Sequence, residues 1–113
     1  MDKIKIITKD LGEFTQNGRI TSLSGRPKGE QIRVKWNLDN LEKQPDIIVY
    51  INIPEYLDNI GRSLIQGIFT QTLQTIGVNG FYAKYKFSPH PIITNDIKNV
   101  IDGLASNLGA SNV

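Results

Sequence analysis

The sequence predicts a small single-domain α/β fold over residues 1–113, and three observations support it. The chain has 113 residues, enough to bury one hydrophobic core but not two. Residues 46–53 are almost continuously apolar, which is typical of a central strand covered on both faces. An amphipathic helical pattern and a second strand pattern follow, so residues 46–87 are expected to form a right-handed βαβ unit with parallel strands.

The first element predicted is a strand over residues 3–8, where lysine alternates with β-branched residues in a pattern typical of a sheet edge. Asn17-Gly18 is a strong turn signal, and it predicts a short hairpin between residues 14–15 and 19–21. The rest of the segment 10–29 carries little periodicity.

The segment 30–44 fits two patterns equally well. Its apolar residues alternate with polar ones as in a strand, namely Ile32, Val34, Trp36 and Leu38. Against a strand, the run continues to Pro45 without a turn and is dense in good helix formers. The pattern alone leaves both interpretations open.

The second half of the chain gives clearer signals. Pro54 ends the central strand, and a helix of about four turns with one apolar stripe follows until Gly77. Residues 81–87 then alternate as a half-exposed strand. A last amphipathic helix runs over about 97–108 and begins through Thr94-Asn95-Asp96, whose side chains suit an N-cap and first turn. The core is expected over about 3–108, with a frayed tail at 109–113.

Composition excludes several functional classes. There are no cysteines, which rules out disulfides, thiolate zinc sites and cysteine nucleophiles. The single histidine, His90, lies between two prolines, and the carboxylates show no ligand spacing, so we expect no metal and no cofactor. No apolar run reaches the length of about 20 residues that a membrane span requires. The start of the chain does not have the pattern of a signal peptide, and a cytoplasmic location is expected.

The charge distribution offers one functional alternative. Residues 1–44 hold nine Lys/Arg against six Asp/Glu, although the net charge of +2 is too small to imply a polyanionic partner. Gly25-Arg26-Pro27-Lys28 matches half of a minor-groove-binding motif, but a turn that opens the next helix is the favoured interpretation. Nucleic-acid binding is therefore the second hypothesis, and its candidate contacts are Arg19, Arg26 and Lys28, with Tyr82, Lys84 and Lys86 on the last strand.

The start of the helix after the central strand holds the main candidate site. Ser63 and Gln66 have capping-box spacing, in which the serine hydroxyl accepts from the backbone N–H three residues later. Arg62 is disfavoured by the helix macrodipole at this position, unless it meets an acidic partner or pairs with Asp58 or Glu55. No Gly-x-Ser-x-Gly elbow is present, so nucleophilic catalysis is not expected and the protein is interpreted as a non-enzyme.

Three segments carry a family resemblance: residues 24–33, 46–49 and 63–69. Together they resemble the STAS-like domain of unknown function, a relative of the sulfate-transporter and anti-sigma-factor-antagonist fold. The resemblance implies a helix over roughly 28–43, a mixed sheet of about four strands, and three helices. In antagonists of that fold, a serine at the corresponding helix start is phosphorylated. Arg62 occupies that position here, and only the second serine, Ser63, is present.

The resulting hypothesis is a regulatory protein-interaction module of the kind found in signalling, and the resemblance implies a histidine-kinase-type ATPase as its partner. Ser63 is the candidate phospho-acceptor. The expected partner-binding residues lie in the loop and helix start after the central strand: Glu55, Tyr56, Asp58, Asn59, Gly61, Arg62, Ser63 and Gln66.

Overall fold

The computed structural model describes residues 3–110 and confirms the α/β fold class. The strands are β1 Lys5–Asp10, β2 Ser22–Leu23, β3 Ile47–Asn52, β4 Asn59–Ile60 and β5 Tyr85–Phe87. The helices are α1 Arg26–Lys35, α2 Leu38–Glu42, α3 Arg62–Lys84 and α4 Ile93–Ala110, with a 3-10 turn at Leu11–Phe14. Met1 and Asp2, and residues 111–113 of the predicted frayed tail, lie outside the described part.

All strand pairs in the described chain are parallel. The main sheet has the order β1-β3-β5, and β2 pairs with β4 in a separate two-stranded sheet. The prediction of parallel strands flanking the central helix is confirmed. The expected mixed sheet of about four strands is replaced by five strands in two parallel sheets.

The helices cover one face of the main sheet. The chain steps from β1 to β3 to β5 in one direction, and right-handed crossovers in one direction place their helices on the same side. Accordingly Ile47, Val49 and Ile51 of β3 are buried, whereas the alternating Ile48 and Tyr50 are only half-buried. The prediction that both faces of this strand are covered was therefore wrong.

The ambiguous segment 30–44 is helical, as the resemblance implied, but it forms two helices. The break follows Trp36, where Asn37 adopts a left-handed backbone conformation with φ 58°. Asparagine tolerates this conformation better than most residues, so the chain can turn there without a glycine. Ile32, Trp36 and Leu38 are all buried, which explains why both the strand and the helix pattern fitted.

Helix α3 continues beyond the predicted end at Gly77. Gly77 has φ 73° and ψ 179°, so the helix is interrupted there, but the chain resumes helical conformation up to Lys84. The predicted strand over 81–87 is thus only its last three residues. Phe81 packs edge-on against Phe69 at 5.0 Å between ring centroids, and this contact favours helix over the local alternation.

The region 11–25 does not form the predicted hairpin. The Asp10 carboxylate accepts from the N–H of Gly12 at 2.8 Å and starts the 3-10 turn, so β1 spans Lys5–Asp10 rather than 3–8. The turn at Asn17-Gly18 exists, with φ of 59° and 87°. After the turn the N–H of Ile20 donates to the carbonyl of Thr15 at 2.9 Å, but residues 14–20 form no strand ladder, and the chain goes on to pair as β2 with the distant β4.

Helix α4 begins at Ile93, just before the predicted start. Asp96 lies in its first turn, as expected, where a carboxylate interacts favourably with the helix dipole. Thr94 has a different role from a cap: its hydroxyl accepts from the N–H of His90 and donates to the carbonyl of Ser88. Over the part of the chain described, no helix is both long and apolar enough to cross a membrane.

Candidate functional site

The candidate site is the stretch of residues 55–66, hereafter the 55–66 segment, which joins β3 to α3. It begins after the carboxyl end of β3, where open α/β sheets commonly bind ligands and partners. The sequence predicted a plain polar loop, but the segment contains β4. Two residues without periodicity give no strand signal, so this ladder could not be found from the sequence.

Backbone hydrogen bonds hold the segment in place. The N–H of Asp58 donates to the carbonyl of Thr21 at 2.7 Å, and the N–H of Gly61 donates to the carbonyl of Leu23 at 2.8 Å. Leu57 and Ile60 are buried in the core. The segment is therefore fixed by its backbone and by two apolar anchors, which leaves its polar side chains free to face outward.

His90 supplies a further anchor, which its place between two prolines did not predict. Its Nδ1 accepts from the N–H groups of Ile92 and Ile93 at 3.1 and 3.0 Å. Nε2 therefore carries the proton and donates to the carbonyl of Leu57 at 2.8 Å. The buried imidazole caps α4 and joins its start to the 55–66 segment. The only sequence signal was its place just before a predicted helix.

The structure brings the predicted partner-binding residues onto one short, anchored stretch. Most of their side chains are exposed, namely those of Glu55, Tyr56, Asp58, Asn59, Arg62 and Ser63, while Gly61 and Gln66 are half-buried. The Tyr56 hydroxyl shares a 2.7 Å hydrogen bond with the hydroxyl of Thr15, which fixes the ring although the residue is 42% exposed.

The capping-box interpretation of Ser63 was wrong. Gly61 is the N-cap of α3 and provides no side-chain cap. The Ser63 hydroxyl makes no hydrogen bond within residues 3–110, and Arg62 forms no ion pair there with Asp58 or Glu55. The N–H groups of Arg62 and Ser63 have no acceptor within residues 3–110, as is usual at the start of an α-helix. The helix start thus presents a guanidinium, a hydroxyl and free N–H groups to solvent.

The residues of the nucleic-acid alternative are not part of this segment, although the loop that carries Arg19 packs against Tyr56. Arg19 is exposed in the turn after Gly18, and Lys28 is half-buried in α1. Arg26 lies in the first turn of α1 and pairs with Glu30 at 3.6 Å. Because Gly25 caps this helix, the stretch is the predicted helix-opening turn and not an extended groove-binding strand.

The last strand does not offer the basic-aromatic face considered for single-stranded nucleic acid. Tyr82 and Lys84 belong to α3, and Lys84 is buried. Its ammonium donates to the carbonyls of Gln44 and Ile47 at 2.6 and 2.7 Å. Desolvation by burial lowers its pKa, although the charges of Glu42 and Asp46 act in the opposite direction. Lys86 alone remains exposed on β5.

A buried polar cluster was not foreseen from the sequence. Glu42 accepts from both terminal nitrogens of Arg33, from the Thr72 hydroxyl at 2.5 Å and from the Tyr85 hydroxyl at 2.5 Å. Arg33 also donates to Asp39 and to the carbonyl of Ile68. Burial alone would lower the pKa of Arg33. The hydrogen bonds to Glu42 and Asp39 and the charges of these carboxylates outweigh burial, so the pKa of Arg33 is raised. Every group has a partner, so the cluster joins α1, α2, α3 and β5 structurally.

A groove of about 330 Å³ lies between β5 and α4. Tyr82 and Lys98 line it, and both interact with Asp102: the phenol donates at 2.8 Å and the ammonium lies at 2.6 Å. The pKa of Tyr82 is raised to about 12. Burial of the phenol contributes most, and the hydrogen bond to Asp102 and the negative charge of that carboxylate act in the same direction. The hydrogen bonds from Lys98 and Tyr82 lower the pKa of Asp102.

No cluster of three or more potential metal-ligating His, Cys, Asp or Glu side chains occurs among the described residues.

The raised pKa of Tyr82 predicts a loss of stability at alkaline pH. The folded protein holds the phenol proton more tightly than the unfolded chain, so this contribution is complete below about pH 10 and is lost as the pH rises through about 12. Urea denaturation across this range is expected to show a free energy of unfolding that falls less steeply in Tyr82→Phe than in the wild type. Equal slopes for the two proteins would contradict the assignment.

Comparison with known proteins gives no further assignment. No protein-family model, curated protein or solved structure matches this chain. The fold class is thus defined by the structure alone, and the resemblance to STAS-like domains stays a prediction.

Proposed function

We propose that this protein is a non-enzymatic interaction module that binds another protein through the 55–66 segment. The observation that carries the proposal is the contrast within this segment between an anchored backbone and exposed polar side chains. Binding then orders few additional groups, and a preorganised loop loses less conformational entropy than a flexible one.

The charge at the start of α3 favours an acidic or phosphorylated partner element there. Arg62 is exposed at the start of α3, where a cation is disfavoured in the free protein because the helix dipole is positive there. An anionic group would interact with the guanidinium and with the free N–H groups of the first turn at once. Ser63 is exposed next to it and is the proposed phospho-acceptor.

The resemblance to STAS-like domains supports a regulatory role in signalling within the same proposal. It adds a cytoplasmic location and a histidine-kinase-type ATPase as the partner class to test first. Binding through Arg62 does not require phosphorylation of Ser63, and Arg62 stands where the antagonists of that fold carry their phosphorylated serine.

Charge reversal at Arg62 is expected to abolish capture of the partner. The immobilised protein would be incubated with an extract of its source cells, and captured proteins would be compared by quantitative mass spectrometry. Proteins captured by the wild type are expected to be lost with Arg62→Glu, while the melting temperature stays nearly unchanged because the side chain is exposed and unpaired within residues 3–110.

Lys5→Glu is the matched control, since it also reverses a positive charge at an exposed position but lies beside the start of β3, at the opposite end of the sheet from the segment. It is expected to retain the captured proteins. Retention with Arg62→Glu, or equal loss with both variants, would contradict the proposed surface.

Nucleic-acid binding through Arg19, Arg26 and Lys28 remains the second hypothesis. A shift assay with DNA and RNA at increasing salt addresses it, because binding through phosphate contacts weakens steeply with ionic strength. A salt-sensitive complex that is lost with Arg19→Glu and kept with Arg62→Glu would favour it over protein binding.

A further inference from the structure

The start of α4 is capped by a side chain that can change its charge. The imidazole of His90 is 9% exposed, and its Nδ1 accepts from the backbone N–H groups of Ile92 and Ile93 at 3.1 and 3.0 Å. Its Nε2 donates to the carbonyl of Leu57 at 2.8 Å. This set of bonds requires the neutral ring, because only a neutral imidazole has one nitrogen that accepts and one that donates.

We propose that His90 is a pH-sensitive link: a second proton on its ring uncaps the start of α4 and uncouples this helix from the 55–66 segment. The proposal concerns the conformation of these two parts of the chain. It therefore goes beyond the function proposed above, and it holds whether or not the segment binds a protein.

The geometry around Nδ1 shows why a second proton breaks the cap. Nε2 already carries a proton, so a proton from solvent can bind the ring only at Nδ1. The imidazolium is a donor at both nitrogens, and its new N–H would point at the N–H groups of Ile92 and Ile93. The bond to Ile93 is buried, and a buried donor that loses its acceptor is destabilising. The protonated ring and the helix start therefore cannot keep their present contact.

The charges around the ring also oppose a cation there. The start of an α-helix carries partial positive charge from its aligned peptide dipoles. Lys98 of α4 lines the same groove as His90, together with the neutral side chains of Tyr82 from α3 and Phe87 from β5. No carboxylate oxygen lies within 4.0 Å of the ring nitrogens among residues 3–110. The acidic residues on the two elements that the ring joins are Glu55, Asp58, Asp96 and Asp102.

The change is expected to stay local, because bonds without a titratable group hold the neighbouring backbone. The N–H groups of Asp58 and Gly61 donate to the carbonyls of Thr21 and Leu23, so the β2–β4 pair does not depend on the ring. The capped state is complete at higher pH, where the ring is neutral. It is lost as the pH falls through the range of about 8 to 5 in which histidine ordinarily changes its charge.

Nuclear magnetic resonance can test the link directly, because His90 is the only histidine in the sequence and its ring signals are unambiguous. Spectra and amide hydrogen exchange of the ¹⁵N-labelled full chain would be recorded between about pH 8 and 5. We expect the amides of Ile92 and Ile93 to shift with the same midpoint as the ring. Their exchange, corrected for the intrinsic effect of pH, is expected to rise at least about tenfold, while the amides of Val49 and Ile51 in β3 stay protected.

The variant His90→Asn separates the cap from its charge. Asparagine offers a side-chain oxygen that accepts from backbone N–H groups just ahead of it, and this oxygen does not titrate. The amides of Ile92 and Ile93 are expected to stay protected in this variant at every pH of the titration. Asp96→Asn is the matched control, because it removes the carboxylate in the first turn of α4 and leaves the imidazole. It is expected to respond to pH as the wild type does.

Three results would overturn the proposal. One is the absence of any change at Ile92 and Ile93 during the wild-type titration. Another is an acid response of these amides that persists in His90→Asn, since other groups would then cause it. The third is a joint loss of protection at the helix start and in β3, because the whole domain would then unfold. Far-ultraviolet circular dichroism of each variant checks its fold, and the wild-type titration decides the first and third results without any variant.

Discussion

Gly29→Ala is expected to destabilise the protein by about 3 kcal/mol or more, because it forces two helices apart. Gly29 on α1 faces Gly67 on α3. A Cβ at position 29 would overlap the carbonyl oxygen of Leu64 and lie 3.0 Å from the Cα of Gly67. These are backbone atoms, so no side-chain rotation can relieve the overlap. Gly67→Ala is expected to behave alike, since its Cβ would overlap the carbonyl oxygen of Arg26.

Whether Gly29→Ala lowers or raises the free energy of unfolding distinguishes a close helix crossing from an ordinary helix interior. Helix propensity alone predicts that alanine stabilises a helix interior over glycine by about 1 kcal/mol. Gly103→Ala in α4 is the matched control, because its added Cβ would meet no atom within 4 Å, and it is expected to stabilise by up to that amount. Urea denaturation followed by circular dichroism measures all three variants. A stabilised Gly29→Ala would show that the helices do not cross at this pair.

Glu42→Ala is expected to cost about 3–5 kcal/mol, because it leaves a buried charge without its main partner. The side chains of Arg33 and Glu42 are 7% and 3% exposed, and their Nη2–Oε1 distance is 2.9 Å. Removal of the carboxylate also leaves the hydroxyls of Thr72 and Tyr85 without their acceptor. A small domain is stable by roughly 5–15 kcal/mol, so this single change consumes much of that margin.

Two further variants test whether the stability lost in Glu42→Ala comes from an uncompensated buried charge. Glu30→Ala breaks the exposed pair with Arg26 and is expected to cost less than about 1 kcal/mol. The double variant Arg33→Met/Glu42→Leu replaces the pair by apolar side chains and is expected to recover part of the stability lost in Glu42→Ala. If Glu42→Ala cost no more than Glu30→Ala in the same urea titration, the cluster would not be a buried structural link.

The elements that the sequence predicted correctly are those with long, regular patterns. The apolar run at 46–53 gave β3, and the apolar stripe after Arg62 gave the first part of α3. The resemblance, rather than periodicity, supported helix over 28–43. The missed elements are short or depend on distant partners: β2 and β4 have two residues each and exist because they pair with each other.

The errors in the second half have a common physical cause. Local alternation at 81–87 indicated a strand, but contacts between Phe81 and Phe69 hold these residues in a helix that resumes after Gly77. The continuous run in β3 indicated two covered faces, because a pattern cannot show on which side crossovers place the helices. Coverage of the sheet follows from strand order, and strand order is a property of the whole chain.

The candidate site was predicted in part. The location of the 55–66 segment between the central strand and the next helix followed from the pattern. The role of His90 could not be predicted from the pattern, because its three hydrogen bonds join Leu57 to residues more than 30 positions away. The capping role assigned to Ser63 was wrong because α3 begins two residues earlier than a serine cap at that position requires, with Gly61 as its N-cap.

The most direct test of the central claim is hydrogen–deuterium exchange of the wild-type protein alone and in complex with its captured partner. The N–H groups of Arg62 and Ser63 have no intrahelical acceptor and are expected to exchange fast in the free protein. If the 55–66 segment binds the partner, peptides that cover it will exchange more slowly in the complex. Unchanged exchange there, with protection confined to other parts of the chain, would contradict the account.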